Sequence, residues 1–202
     1  MASVYDLKPV FQKLLHPVCQ HLKDSGVTPN QVTVAAIVLS FAMGTLLCVK
    51  ADSSWPLLVL PAFLLVRMAL NAIDGMMARE YNMASGVGMI LNELGDVVSD
   101  AAVYLPLAVI PNVPALPVVL LVVLAITSEM TGVVAIQVGG TRRYDGPMGK
   151  SDRAFVVGVV SILLGFGIIS YPWLRVILWA MTGLLLVTIV NRCMKSLKEA
   201  RQ

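Results

Sequence analysis

Residues 55–79 read WPLLVLPAFLLVRMALNAIDGMMAR, an apolar run that ends in a block of charged and small residues. The run up to residue 73 approaches the roughly 20 residues that an α-helix needs to cross the hydrocarbon core of a bilayer. Ionisable side chains within such a helix are costly, so Asp74 and Arg79 directly after the run indicate a functional site. We therefore expect a transmembrane helix that carries polar chemistry at one end.

The composition of the whole chain agrees with a membrane protein. The 202 residues are 57% hydrophobic and 13% charged, and the mean hydropathy is +0.81. A water-soluble protein of this length needs more polar surface, so we expect a single membrane domain over residues 1–202 with no second soluble domain. The net charge of +3 is small, and nucleic acid is not an expected partner. The three cysteines show no disulfide or metal-ligand spacing and are expected to be reduced packing residues.

Six apolar spans are expected to form an all-α bundle within residues 31–195. They cover residues 31–49, 55–73, 86–110, 114–138, 154–169 and 173–190. Lysine and arginine concentrate in the N-terminal segment, at Arg79, in the segment 142–153 and in the tail, whereas the alternate loops hold only Lys50 and Arg175. The positive-inside rule therefore predicts that both termini face the cytoplasm.

A seventh, amphipathic helix is expected over residues 1–25, ahead of the bundle. Apolar residues recur there at helical spacing with lysines between them. This pattern is typical of a helix that lies in the membrane interface. A helix packed against the end of the bundle has the same pattern, so both placements remain open.

Polar residues on the second and third spans are spaced to meet. Asn71 and Asp74 are three residues apart, and Asn92 and Asp96 are four apart, so each pair shares a helix face. A short hairpin over residues 80–85 would bring the two helices together antiparallel. Four oxygen-bearing side chains without histidine or thiolate clusters suit a hard cation, Mg²⁺ or Mn²⁺.

The block from Asn71 to Asp96 resembles the signature D-x-x-D-G-x-x-A-R-x(8)-G-x(3)-D-x(3)-D of the CDP-alcohol phosphotransferases. The Thr28-Pro29-Asn30 segment, the amphipathic helix and the six spans are also similar to that family, so the resemblance covers nearly the whole chain. Asn71 and Asn92 stand where the family has its first and third aspartates.

The resemblance implies an enzyme of phospholipid biosynthesis. It would transfer a phosphatidyl group from CDP-diacylglycerol to an alcohol hydroxyl and release CMP, with Asp96 as the general base. The implied ligands of Mg²⁺ or Mn²⁺ are Asn71, Asp74, Asn92 and Asp96. The implied CDP-lipid contacts are Gly75, Ala78, Arg79 and Ser85. Because two aspartates are replaced, we expect one bound ion, and a catalytically impaired protein that binds a nucleotide-lipid is the alternative function.

A basic segment on the predicted cytoplasmic side is a candidate acceptor site. It carries Arg142, Arg143, Lys150 and Arg153. Arginine can bind phosphate through two parallel hydrogen bonds, which predicts a phosphorylated acceptor alcohol. The alternative is topological, because cytoplasmic loops of membrane proteins are rich in lysine and arginine in any case. Arg67 is either a cation lining the site or the partner of a buried acid such as Asp100 or Glu129. The tail's Arg192, Lys195, Lys198 and Arg201 are expected to anchor the chain at the membrane surface.

The expected setting is a bacterial inner membrane, with the active site facing the cytoplasm and the spans in contact with membrane lipids. The family resemblance also implies homodimers. A small-solute transporter is disfavoured, because the polar groups lie at one membrane face and not at the midplane.

Overall fold

The computed structural model describes residues 4–201, with side chains from Phe11 onward. These residues form seven α-helices, one short 3₁₀ helix and no strand, which confirms the all-α prediction for the part of the chain described. In chain order the helices are α1 (Val4–Asp24), α2 (Pro29–Val49), α3 (Trp55–Glu80), α4 (Gly86–Tyr104), the 3₁₀ helix (Leu105–Val109), α5 (Ala115–Val134), α6 (Lys150–Gly165) and α7 (Tyr171–Glu199).

Four of these helices, α2, α3, α5 and α7, are long and apolar enough to cross a membrane, judged over the described residues. The two other expected spans correspond to α4 and α6. Helix α4 carries three acidic residues, and α6 has only 16 residues and begins with Lys150, Asp152 and Arg153. The prediction of six spans is therefore confirmed only to the extent of four candidate spans.

The contacts divide the chain into two compact units. The first unit comprises the chain up to Phe41 together with Leu65–Ser99. Its core joins α1, α2 and the C-terminal half of α3 through Leu15, Cys19, Val32, Ile73, Met76 and Met77. One face of α1 thus packs on α3, while Leu14 on another face is 73% exposed. The interfacial placement of α1 stays a prediction.

The second unit comprises Ala42–Leu64 and the chain from Asp100 onward. Helix α5 packs against α7 and against the 3₁₀ helix, and the core of this unit includes Leu121, Leu178 and Leu185. Our expectation for the cysteines was wrong in part, because Cys19 is buried but Cys48 and Cys193 are exposed. The prediction of one membrane domain over the whole chain stays a prediction.

The start of α2 explains why the Thr28-Pro29-Asn30 segment has this sequence. The Thr28 hydroxyl accepts from the Gln31 backbone N–H at 3.3 Å, and the Gln31 side chain accepts from the Thr28 backbone N–H at 2.8 Å. This reciprocal pair is a capping box, and Pro29 occupies the first helical position, where its missing N–H costs nothing. The segment therefore fixes where α2 begins.

Candidate active site

The aspartate of the Asp-Gly-x-x-Ala-Arg block lies inside the first unit. Asp74 is only 4% exposed, and its Oδ2 accepts a hydrogen bond from the Thr33 hydroxyl of α2 at 2.8 Å. A buried carboxylate is stable only when such donors replace its lost hydration. Thr33 therefore orients Asp74, a role that the sequence did not suggest.

Helices α3 and α4 meet at the predicted polar residues. Asn71 donates its side-chain amide to Asp96 Oδ1 at 3.0 Å, and the buried Arg67 donates to the Asp96 backbone carbonyl at 3.1 Å. Asn71, Asn92 and Asp96 are each half-buried. The structure thus brings Asn71 and Asp96 together as the spacing predicted, and it places Arg67 beside the same turn of α4.

The side chains of Asn71, Asp74, Asn92 and Asp96 have oxygen donors of the kind that a hard divalent cation prefers. They comprise two carboxylates and two side-chain amides. Among the described residues, no group of three or more His, Cys, Asp or Glu is placed to hold an ion without such amides or a substrate. Mg²⁺ is commonly held by one or two carboxylates together with substrate phosphates. The residue types therefore fit an ion that takes its remaining ligands from a substrate phosphate.

An added Cβ on either of two signature glycines would press against the ends of neighbouring side chains. A Cβ on Gly75 would be 3.1 Å from Arg79 Nη1, and a Cβ on Gly88 would be 2.7 Å from Asn30 Oδ1 and 3.0 Å from Ser85 Oγ. Ser85 also accepts from the Gly88 backbone N–H at 3.0 Å, which caps the start of α4. The predicted CDP-lipid residues Arg79 and Ser85 are exposed, and Gly75 and Ala78 are half-buried.

A second polar cluster forms within the other unit around Glu129 of α5. Its Oε1 accepts from Arg153 Nη2 at 3.2 Å, and its Oε2 accepts from Arg142 Nη2 at 3.1 Å and lies 3.4 Å from Arg192 Nη1. Arg153 Nη2 also donates to Asp100 Oδ2 at 2.9 Å. Three guanidiniums therefore face two carboxylates in one place.

The four predicted acceptor residues have different surroundings. Arg153 is fully buried, Arg142 and Arg143 are half-buried, and Lys150 is half-buried at the start of α6. Arg143 forms ion pairs with Asp145 at 2.9 Å and with Glu199 at 3.0 Å. The structure brings Arg142 and Arg153 together around Glu129, whereas Arg143 belongs to a neighbouring ion-pair network.

This network holds the α5–α6 loop on the C-terminal turns of α7. Lys195 Nζ donates to Asp145 Oδ1 at 2.6 Å, and Glu199 accepts from the Thr141 backbone and hydroxyl. The hydrogen bond from Lys195, with Arg143 nearby, holds the pKa of Asp145 below its usual range, against a partial desolvation. Asp145 is therefore charged over the whole neutral range and keeps the loop in place.

Sequence reasoning missed the place of Arg192. We expected a surface anchor, but Arg192 is only 1% exposed and donates to the backbone carbonyls of Asp145 and Ser128. Its spacing contains a signal, because Leu185, Thr188, Arg192 and Ser196 recur at helical intervals and all are buried. The anchor role was wrong for Arg192, whose charge is satisfied inside the protein. Asp100 and Glu129 were the candidate acidic partners of Arg67, and the structure shows that both of them bind Arg153.

Comparison with known proteins identifies the family. The family model described as CDP-alcohol phosphatidyltransferase matches residues 26–190. Inner membrane protein YnbA of Escherichia coli is 44% identical over 195 residues, covering 95% of this chain and 94% of the relative. Phosphatidylinositol phosphate synthase of Mycolicibacterium smegmatis is 27% identical over 200 residues, covering 95% of this chain and 88% of the relative.

Solved structures share the fold. The structure of Mycobacterium tuberculosis phosphatidylinositol phosphate synthase (PgsA1) with CDP-DAG bound superposes with a TM-score of 0.76 and 21% identity, covering 91% of this chain and 94% of the other. The same protein in complex with manganese and citrate gives 0.75 and 22%, covering 89% and 87%. The signature residues on α3 and α4 thus lie on a family fold, and the chain belongs to the CDP-alcohol phosphatidyltransferases, membrane enzymes of phospholipid synthesis that transfer a phosphatidyl group from a CDP-linked lipid to an alcohol.

Proposed function

We propose that the protein transfers a phosphatidyl group from CDP-diacylglycerol to a phosphorylated alcohol and releases CMP. The observation that carries the choice of acceptor is the convergence of Arg142, Arg153 and Arg192 on Glu129. With Asp100, this cluster has three positive and two negative formal charges. An excess of guanidinium in a buried place favours an anionic ligand, and phosphate is the anion that arginine binds most specifically.

The names of the relatives support this acceptor class. Two curated relatives, from Mycolicibacterium smegmatis and Mycobacteroides abscessus, are phosphatidylinositol phosphate synthases, at 27% and 25% identity. A product of that name carries a phosphate on the alcohol side. We extend to this chain only the chemical class, a phosphorylated alcohol.

The residues on α3 and α4 would carry out the transfer. Asp96 accepts the proton of the acceptor hydroxyl as the hydroxyl oxygen attacks the β-phosphorus of CDP-diacylglycerol, and the bond to the CMP oxygen breaks. The bond from Asn71 holds Asp96 Oδ1, so that the carboxylate keeps one orientation. Arg79 binds the pyrophosphate, Ser85 contributes a hydroxyl, and Gly75 and Ala78 leave room for the nucleotide next to the helix.

Asn71, Asp74, Asn92 and Asp96 would hold one divalent cation, Mg²⁺ or Mn²⁺. Such an ion, when bound, offsets the negative charge that develops on the phosphates. The Mycobacterium tuberculosis structure with manganese and citrate is consistent with a divalent cation in this fold. Thr33 keeps Asp74 oriented for this role by its hydrogen bond.

The basic residues at the second cluster would have different roles in binding the acceptor. Arg142 is partly accessible and would contact the acceptor phosphate directly, and Lys150 and Arg143 would add positive charge nearby. Arg153 is bound on both sides by Asp100 and Glu129. It would act chiefly by the field of its fixed charge.

The membrane setting is part of the same proposal. The name of the Escherichia coli relative supports a multi-pass protein of a bacterial inner membrane. We further propose six spans in one domain, with α1 in the interface, both termini and the active site on the cytoplasmic side, and a homodimer. The positive-inside distribution of lysine and arginine supports this orientation.

The replacement of two aspartates by Asn71 and Asn92 favours a second candidate function. It is a protein that binds CDP-lipid without transferring the phosphatidyl group, because the site has lost two of the charges that hold divalent ions in the family. Release of CMP from CDP-diacylglycerol by the purified protein separates the two functions.

The test of the acceptor uses matched alcohols. Purified protein in lipid micelles receives labelled CDP-diacylglycerol with glycerol 3-phosphate or inositol phosphate, and in parallel with glycerol or inositol. We expect new lipid and CMP only with the phosphorylated alcohols. Equal or faster turnover of the unphosphorylated alcohols would contradict the proposed acceptor class.

A further inference from the structure

We propose that Glu129 is an internal competitor of the acceptor's phosphate group, which limits how tightly the arginine cluster binds phosphate. This inference rests on the proposed function, because it assigns the cluster to the acceptor. Glu129 would make no contact with the reacting atoms. It would set the affinity of the site, and so the balance between capturing the acceptor and releasing a product that still carries the phosphate.

The Glu129 carboxylate lies at the point where the three guanidiniums meet. Each of the three arginines comes from a different part of the chain, the α5–α6 loop, α6 and α7, and each places a guanidinium nitrogen within 3.4 Å of a Glu129 oxygen. A carboxylate with two oxygens shared among three guanidiniums occupies the place that phosphate oxygens would take. Glu129 and a bound phosphate would therefore draw on the same donors.

The three arginines have hydrogen-bond partners other than Glu129. Arg153 is held by Asp100 and by the Met148 carbonyl at 3.2 Å, and Arg192 is held by the carbonyls of Asp145 and Ser128. Arg142 Nη1 donates to the Arg143 carbonyl at 2.8 Å. Removing only the charge of Glu129 should therefore leave the guanidiniums in place. The main effect of the carboxylate is on the charge of the cluster and not on the positions of the arginines.

The formal charges of the cluster do not match those of a phosphate monoester. Three arginines with Asp100 and Glu129 give a formal charge of +1, and a phosphate monoester brings about −1.5 to −2 near neutral pH. Without the Glu129 charge the cluster would have +2 and would match a dianion. The parent site is therefore one charge short of full neutralisation, which weakens binding and favours exchange.

The test measures inorganic phosphate binding by calorimetry on the purified protein in detergent. Glu129→Gln keeps the size and one oxygen acceptor but removes the charge, and we expect its phosphate Kd to fall about tenfold. Glu129→Asp keeps the charge and should stay within about twofold of the parent. Asp52→Asn removes an acid from the exposed turn between α2 and α3, which contributes no residue to the cluster, and should leave the Kd unchanged.

Kinetics add a readout that a merely structural role would not produce. With a phosphorylated acceptor, Glu129→Gln should lower the acceptor KM and lower kcat together, because product is held longer, while the KM for CDP-diacylglycerol stays the same. The melting temperature of each variant shows whether it is folded. If Glu129→Gln is unstable, Glu129→Ser also removes the charge, leaves a smaller polar side chain, and should lower the phosphate Kd in the same direction.

The outcomes separate this inference from the proposed function. An unchanged or raised phosphate Kd in folded Glu129→Gln, or a parent protein that binds no phosphate, would overturn the inference. If Glu129→Gln binds phosphate more tightly but the parent uses only unphosphorylated alcohols, Glu129 competes with phosphate at the arginine cluster, but the cluster is not the acceptor site and the proposed acceptor class fails.

Discussion

Asn71 Nδ2 donates to Asp96 Oδ1 across 3.0 Å, which joins α3 to α4 at one of the two positions where this chain departs from the family signature. An aspartate at 71 would place a second carboxylate against Asp96, and the pair would need a cation between them. The asparagine instead makes a bond that is stable without metal. The departure therefore changes how the site is held together as well as its charge.

The double variant Asn71→Asp, Asn92→Asp should bind Mn²⁺ more tightly than the parent without substrate. Two added carboxylates raise the formal negative charge of the four residues from about −2 to about −4. Like charges in contact also repel, so the metal-free variant should melt at a lower temperature than the metal-free parent. Titration calorimetry measures the ions bound. Two tight ions in the substrate-free parent would refute the expectation of one.

Replacing Arg192 should destabilise the protein far more than replacing its exposed neighbour. Arg192→Ala removes a buried partner of Glu129 and leaves two backbone carbonyls without their donor. We expect the free energy of unfolding to fall by about 3–5 kcal/mol. Lys195→Ala breaks one exposed pair with Asp145 and should cost less than about 1 kcal/mol. Chemical unfolding of both variants in the same detergent gives the comparison. Equal losses would show that Arg192 is only a surface anchor.

The α5–α6 loop should lose its position in Gly146→Ala. Gly146 has a φ of +125°, and an added Cβ would lie 2.5 Å from Thr188 Cγ2. The matched control is Gly167→Ala, which also has a positive φ, +66°, but no atom within 4 Å of the added Cβ. The control should cost about 1 kcal/mol of backbone strain. Gly146→Ala should cost more and raise the acceptor KM, and identical behaviour of the two would contradict the contact with α7.

Acid should remove the contribution of Asp145 to stability. Its folded pKa is held below the ordinary 3.8, first by Lys195. A carboxyl whose pKa is lowered by folding stabilises the protein above its unfolded pKa, and this contribution is lost as pH falls through the folded pKa. The stability difference between the parent and Asp145→Asn should be constant at neutral pH and shrink below about pH 4. A difference that grows in acid would refute the assignment.

The meeting of α3 and α4 at their polar residues could be predicted from sequence because the information is local. The spacing of Asn71, Asp74, Asn92 and Asp96 fixes helix faces, and a short hairpin leaves few ways to pair α3 with α4. The bond between Asn71 and Asp96 agrees with that geometry. The role of Thr33 was not visible, because its partner Asp74 is 41 residues away.

The arginine cluster could be predicted only in part. Its composition was visible, but rules of topology assign cationic residues to a membrane side without saying which of them turn inward. Glu129 and Arg153 are 24 residues apart, and Ser128 and Arg192 are 64 apart. Pairings at such distances follow from how α5, α6 and α7 pack, which the periodicity of one helix does not contain.

The role of Asp96 as the base of phosphatidyl transfer can be measured by CMP release from the Asp96→Asn variant. The parent with CDP-diacylglycerol, a divalent cation and a phosphorylated alcohol should release CMP and form the new lipid. Asp96→Asn keeps an oxygen at the site but cannot accept the proton, so it should bind CDP-diacylglycerol and release no CMP above background. Unchanged turnover in folded Asp96→Asn would show that Asp96 is not the base.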